Sequence, residues 1–301
     1  MNERSIPFTK MSGSGNDFLV IDDRAGLFHD VDIADMTRRI CRHRLSVGAD
    51  GIVLLSDPLP GDDSVAYAWR YINADGTDGE MCGNGAMCAA RFAVRAGIAP
   101  PHHRFQTVCG VVEAWASPDS TTASIAITDP GSVEPPVTVS VAGRSLTCTR
   151  IVVGVPHIVI VVDDADAFAD PDTFDQIGRA LRLHDSFAPA GTNVNVVSRI
   201  DRDTWRMRTY ERGVEAETLA CGTGAVASAL VLGAAEFAPN PVRIRTSGGP
   251  HLTVSYQLRD GNATNVRLSG HAAVIYDGVL GPDALSDQDS SQKTRRNSDE
   301  S

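Results

Sequence analysis

Two short stretches constrain this chain more than any others. Met81 to Ala90 reads MCGNGAMCAA, and Ala220 to Ala229 reads ACGTGAVASA. Aligned on their cysteines, they share Cys82/Cys221, Gly83/Gly222, Gly85/Gly224, Ala86/Ala225 and Ala90/Ala229. Small residues recur at tight helix starts for steric reasons, so the glycines and alanines carry little weight alone. A cysteine at the same offset twice is not explained that way. It points to duplication of a whole domain, and 301 residues leave room for two, at about 100–200 residues each.

The flanking segments repeat a common order. In the first half FLVID (18–22), GIVLL (51–55) and VAYAWRYI (65–72) predict strands. DIADMTRRICR (32–42), with an acidic start and a basic end, predicts a helix. The helix after Cys82 should end at Gly97, with Pro100 and Pro101 beyond. Strand-like runs follow in RFQTVCGVVEAWA and TASIAIT. DPGSVEPP (129–136) is a loop by composition and the expected boundary. The second half offers RIVVGVPHIVIVV (150–162), a helix at PDTFDQIGRALR (171–182), and strands at TNVNVVSRI and TWRMRTYE. After the second cysteine helix come PVRIRT, HLTVSYQL, NVRLSG and AAVIYDGVL, all strand-like. The tail 286–301 has no apolar residue to bury and is expected to be disordered.

Composition narrows the function classes. A formal net charge of -11 argues against a nucleic-acid surface. No apolar run approaches the roughly 20 residues of a membrane span, and MNERSIPFTK lacks a signal-peptide core. A cytoplasmic protein with no membrane contact is the expectation. Six cysteines in a chain this long do not resemble a secreted disulfide framework. Cys82 and Cys88 are not spaced as zinc ligands, so no metal is expected. Cys41, Cys88, Cys109 and Cys148 read as structural thiols in apolar or strand-like settings.

The two cysteine motifs imply chemistry. A helix N-terminus carries unpaired N–H groups and partial positive charge. Glycines let an anion approach those groups closely. A cysteine placed there should have a lowered pKa and serve as base or nucleophile. Two such starts facing each other would grip one carboxylate and leave its α-carbon between two thiols. One thiolate removes the α-proton from one face, and the other thiol returns a proton to the opposite face. The helix N–H groups stabilise the charge that develops. The device needs no cofactor.

At these residues the chain resembles the diaminopimelate epimerases. FTKMSGSGNDFLVID, NADGTDGEMCGNG, GVPH, GTNVNVV and YERGVEAETLACGTGA follow in the family's order, from Phe8 to about Gly281. The resemblance implies Cys82 and Cys221 as the catalytic thiols. It implies Gly83, Asn84, Gly222 and Thr223 as contacts to the reacting carboxylate and amine. Asn16, Asn73, Asn193 and Arg212, with Glu211 beside the arginine, match the residues that recognise the distal end of the substrate. His157 and Glu211 match positions thought to tune the thiols. The implied fold is α+β: two pseudo-symmetric domains, each a mostly antiparallel sheet around a central helix, with the site in the cleft between them. The expected domains are 1–128 plus about 272–285, and 129–271. The implied reaction interconverts LL- and meso-2,6-diaminoheptanedioate, in lysine and peptidoglycan synthesis. The family is often dimeric, so a homodimer is one expectation.

The chain departs from the family pattern in places. Val155-Pro156-His157 replaces the common Asn-Pro-His, so one amide contact is absent or supplied otherwise. Ser12 and Met87 stand where histidine and arginine are frequent, and YERGVEAET is one residue longer than the commoner form. The main alternative is a racemase or epimerase of another amino acid on the same fold. Proline racemases usually carry histidine where this chain has Asn84. Phenazine-type isomerases of this fold lack the cysteine pair. A third alternative is a redox protein in which the two thiols form a regulatory disulfide.

Overall fold

The structure is a computed structural model that describes residues 6–62, 64–128, 130–163, 170–259 and 262–285. The tail expected over 286–301 lies outside these residues, as does residue 129 at the expected domain boundary. Residues 130–136 carry no regular structure.

The first half contains β1 (Ile6–Gly13), β2 (Asn16–Asp22), α1 (Ile33–Ile40), β3 (Gly51–Ser56), β4 (Tyr67–Asn73) and β5 (Asp78–Gly79). It continues with α2 (Gly83–Arg95), β6 (His102–Thr107), β7 (Gly110–Ala116) and β8 (Thr122–Ala126). Then come β9 (Val137–Val141), β10 (Arg144–Val153), β11 (Val155–Val161), α3 (Pro171–Arg182), β12 (Asn193–Arg199), β13 (Thr204–Glu211) and β14 (Ala216–Thr218). The chain closes with α4 (Gly222–Ala234), β15 (Val242–Arg245), β16 (His251–Arg259) and β17 (Asn262–Leu280), before a last short helical turn.

The duplication holds at the level of strand pairing. β1–β2 is antiparallel, β2–β3 parallel, β3–β4 antiparallel and β4–β6 parallel. β10–β11, β11–β12, β12–β13 and β13–β15 repeat that series in the same senses. The registers make individual residues equivalent. Phe18 pairs with Gly51, and Gly51 with Asn73. His157 pairs with Asn193, which the β12–β13 register places opposite Glu211. Asn16 therefore corresponds to Val155, and Asn73 to Glu211.

The strands of each half wrap a central helix; α4 is apolar nearly all round, whereas α2 shows Arg91 and Arg95 on one side. Ala86, Met87, Cys88, Ala89, Ala90 and Ala93 of α2 are fully buried, as are Ala225, Val226, Ala227, Ala229 and Leu232 of α4. Strand alternation divides the remaining core. Phe18 and Val20 face the central core, whereas Leu19 and Ile21 face a second cluster under α1. In the other half Val194 and Val196 pack with Phe174, Ile177 and Leu181 of α3.

NVRLSG and AAVIYDGVL, read from sequence as two strands, form the single strand β17. Gly270 suggests a break but serves close packing. A Cβ there would lie 2.7 Å from Ser14 Oγ and 2.9 Å from Met87 Cε. Residues 262–270 of β17 pair with β16, residues 267–271 with β8, and 272–280 with β1. One strand thus stitches the two halves together. The segment RFQTVCGVVEAWA turns at Cys109, which is exposed rather than set in an apolar strand. The helix after Cys221 ends at Ala234, earlier than the apolar run suggests, and Glu236 then takes a left-handed φ of 57°.

Gly13 holds the first turn of α2 in place. Its Cβ would sit 2.8 Å from the Asn84 carbonyl oxygen and 2.9 Å from Cys88 Sγ. Gly13→Ala is expected to destabilise the fold by about 1–3 kcal/mol, since overpacking displaces backbone here. Urea titration checks this, and an unchanged midpoint would contradict it.

Candidate active site

The two cysteine motifs form almost superposable local structures. Cys82 caps α2 with φ -138° and ψ 110°, and its sulfur accepts from the Gly85 N–H at 3.5 Å. Cys221 caps α4 with φ -128° and ψ 112°, and accepts from the Gly224 N–H at 3.4 Å. Short polar side chains at this position satisfy an orphan N–H of the first turn. Here a thiol takes that role twice.

The helix starts meet. A Cβ on Gly222 would lie 4.0 Å from the Gly83 Cα. Cβ atoms on Gly83 and Gly222 would both press on one methyl of Leu268, at 3.2 and 3.1 Å. Without side chains, the two N-termini converge over Leu268 with their first-turn N–H groups free of helical acceptors. This is the arrangement expected for a carboxylate held between opposed thiols.

Burial reverses the thiol acidity expected from the helix ends. It pushes Cys82 up to about 11, against the lowering effect of the Gly85 and Asn84 N–H groups. It pushes Cys221 up to about 12, with Glu211 adding to the rise and the Thr223 hydroxyl and Gly224 N–H opposing it. Desolvation of a thiolate outweighs the local dipoles here. Both sulfurs are protonated at neutral pH.

Glu211 acts on both thiols from one position, because its carboxylate raises both. Burial raises its own pKa, and it accepts from Thr218 Oγ1 at 2.8 Å. His157 is fully buried and pushed down to about 3, by burial first and then by the Arg212 charge. Its tautomer follows from its neighbours. Asn195 Nδ2 donates to the Ile158 carbonyl at 3.0 Å and to His157 Nδ1 at 3.1 Å. Nδ1 is then an acceptor, and the ring proton sits on Nε2, which has no partner among the described residues.

The polar residues expected to bind substrate fall into three groups. Asn16 and Asn84 are joined directly, Asn84 Nδ2 donating to Asn16 Oδ1 at 2.8 Å. Asn193 Oδ1 accepts the Arg212 backbone N–H at 2.8 Å, so Asn193 shapes the turn that carries Arg212. The Arg212 guanidinium donates to the Ala190 carbonyl at 3.0 Å and forms no ion pair among the described residues. Asn73 is engaged in its own turn, donating to Thr77 Oγ1 at 3.1 Å. Asp50, Asp17 and Lys10 escaped the sequence reading although they support Asn16. Lys10 pairs with Asp17 at 2.6 Å and is buried. A lysine within a strand gives no signal in sequence that its side chain is buried. Among the described residues no three His, Cys, Asp or Glu side chains converge as a metal site.

The thiol acidities give a direct prediction. Raised values mean that little thiolate exists at pH 7 and that its fraction grows with pH up to at least 10. Iodoacetamide should therefore label exposed Cys109 before Cys82 or Cys221 at pH 7.5, and labelling of the capping pair should climb steadily to pH 10. Peptide mapping reads this. Rapid labelling of Cys82 at pH 7 with a plateau would contradict it.

Comparisons with known proteins place this arrangement in a family. The family model for diaminopimelate epimerase matches residues 8–133 and 149–269. A diaminopimelate epimerase of Aquifex aeolicus (strain VF5) is 38% identical over 288 residues, covering 93% of this chain and 99% of that relative. One from Hydrogenobaculum sp. (strain Y04AAS1) is 38% identical over 281 residues, covering 90% and 97%. Among solved structures, a hydroxyproline epimerase from Agrobacterium vitis with bound trans-4-hydroxy-L-proline aligns with a TM-score of 0.66 at 15% identity, covering 94% and 93%. A Bacillus anthracis phenazine biosynthesis protein aligns with a TM-score of 0.65 at 11% identity, covering 92% and 99%. These structural likenesses establish a shared two-domain fold. The matched sequence, running through both cysteine motifs, shows that the chain belongs to the diaminopimelate epimerase family of isomerases.

Proposed function

We propose that this protein interconverts LL- and meso-diaminopimelate by moving one proton across an α-carbon between Cys82 and Cys221. The observation that carries the reading is the convergence of two cysteine-capped helix N-termini over Leu268. The substrate's reacting carboxylate sits between those N-termini, against the N–H groups of Gly83, Asn84, Gly222 and Thr223. The α-carbon then lies between the sulfurs.

One sulfur enters the cycle as thiolate. The substrate ammonium favours that ionisation, since a cation beside a buried thiol offsets the cost of its charge. The thiolate takes the α-proton, and the C–H electron pair delocalises into the carboxylate. The helix N–H groups hold the developing negative charge. The opposite thiol gives its proton to the other face of the carbon and is left as thiolate. One C–H bond breaks, one forms, and the stereocentre inverts with no change of oxidation state. Arg212, which has no ion pair among the described residues, forks onto the distal carboxylate. The buried Nε2–H of His157 lies within reach of the Arg212 field and supplies a donor on that side, where Val155 has no amide. This reading places the enzyme in the cytoplasm, in lysine and peptidoglycan synthesis.

Cys82→Ala and Cys221→Ala should each lower epimerisation at least 10³-fold, because each removes an obligatory acid–base group. Binding of a diaminopimelate analogue, measured by calorimetry, should change less than about tenfold. Near-normal turnover in either variant would contradict the two-base assignment. Arg212→Lys should raise KM for diaminopimelate about tenfold or more, through loss of the bidentate geometry. An unchanged KM would remove Arg212 from substrate recognition.

A further inference from the structure

A chain of hydrogen bonds with one fixed direction ends on Asn84, two residues after the first cysteine. Asp50 Oδ2 receives the Asp17 backbone N–H at 3.2 Å and Asn16 Nδ2 at 2.9 Å. A carboxylate only accepts. Asn16 must therefore turn its NH₂ towards Asp50 and its carbonyl away. That carbonyl oxygen receives Asn84 Nδ2 at 2.8 Å. Asn84 in turn is left with its carbonyl oxygen free. Asn84 Oδ1 is buried and has no partner among the described residues, although Asn84 is only 3% exposed. An unpaired buried acceptor of this kind costs stability unless a ligand donor meets it.

The direction of this relay cannot reverse while Asp50 is in place. The Asp17 N–H pins the acceptor from one side. The Asp50 backbone N–H returns to Asp17 Oδ1 at 3.0 Å, and Lys10 holds Asp17 from behind. The output is two carbonyl oxygens, those of Asn16 and Asn84, the second carried on the first turn of α2 two residues after Cys82. Two acceptors at that place suit a cation with several N–H donors.

We propose that Asp50 is a positioning residue that sets the sense of the Asn16 and Asn84 amides, so that both offer carbonyl oxygens to the ammonium group on the reacting α-carbon. The inference rests on the epimerase reading above for the identity of the ligand, but the amide sense is a property of the protein alone. Asp50 itself touches no substrate. The second half has no counterpart: Val155 stands at the position equivalent to Asn16, and Thr223 turns its hydroxyl to Cys221 at 3.5 Å. The ammonium is thereby assigned to the Cys82 side of the site.

The test has a structural arm and a kinetic arm. A neutron structure of the deuterated protein distinguishes ND₂ from oxygen. The expected result is ND₂ of Asn16 facing Asp50 and ND₂ of Asn84 facing Asn16. The opposite sense at either residue overturns the proposal, whatever the enzyme turns over. In kinetics with diaminopimelate, Asp50→Ala should raise KM roughly tenfold, the scale of one lost charge-assisted hydrogen bond, and leave kcat within about threefold. Asp50→Asn should restore KM, because its carbonyl can occupy the acceptor position that the Asp17 N–H selects. Asp50→Ala added to Asn16→Ala should raise KM no further, since the effect passes through Asn16. Asp50→Asn as damaging as Asp50→Ala, or additive effects of the pair, would overturn the relay. If Asp50→Ala does not fold, the neutron structure still decides. Failure of the wild-type enzyme to turn over diaminopimelate would count against the epimerase reading, not against the amide sense.

Discussion

The two cysteine-capped helix starts come together at Gly83 and Gly222, over one methyl of Leu268. Everything chemical in this molecule depends on that meeting. A side chain at either glycine would press on the Leu268 methyl, at 3.2 Å from Gly83 and 3.1 Å from Gly222, and fill the space over which the helix starts meet. Leu268 is well placed for this role because β17 crosses from one half to the other, pairing with β16, β8 and β1 in turn. The strand that joins the halves also supplies the floor on which their active helices meet. Two largely buried central helices fix the direction of those helix ends, since each is gripped by the strands of its own half.

Duplication supplies symmetry, and the departures from it supply function. Cys82 and Cys221 share cap geometry, but their surroundings differ. Asn84, the second residue of α2, is drawn sideways to Asn16. Val155 offers Thr223 no such partner, and the Thr223 hydroxyl instead meets the Cys221 sulfur. Glu211 occupies in the second half the register position that Asn73 holds in the first, and only the glutamate carries charge. A reaction that takes a proton from one face and returns it to the other needs two similar groups in unequal settings. Similar caps with different first-turn chemistry meet that requirement.

The sequence made the duplication, the central helices and both capping cysteines legible, because these rest on local rules. Glycine spacing, helix composition and cap chemistry act within ten residues. The sign of the thiol shift was not legible. A helix N-terminus argues for a lower pKa, and only the folded structure reveals that burial outweighs it at Cys82 and Cys221. The unity of β17 was hidden by Gly270, which reads as a break and acts as a space for Met87 and Ser14. Lys10, Asp17 and Asp50 are residues that the sequence does not single out. Their network joins residues more than thirty positions apart in sequence, and pairings of that range leave no local pattern. Asn193, implied by the resemblance as a substrate contact, also holds the Arg212 backbone through its side-chain oxygen, a contact no local pattern reveals.

The central claim is that two different thiols handle the proton on opposite faces of one carbon. Turnover of protiated LL-diaminopimelate in D₂O, sampled at low conversion by proton NMR and mass spectrometry, tests it most directly. The account predicts that every meso product molecule carries one deuterium at the inverted α-carbon while recovered LL substrate remains protiated. Deuterium entering the recovered substrate as fast as it enters the product, or meso product that retains protium, would mean that one base serves both faces and would contradict the assignment of Cys82 and Cys221 as a pair.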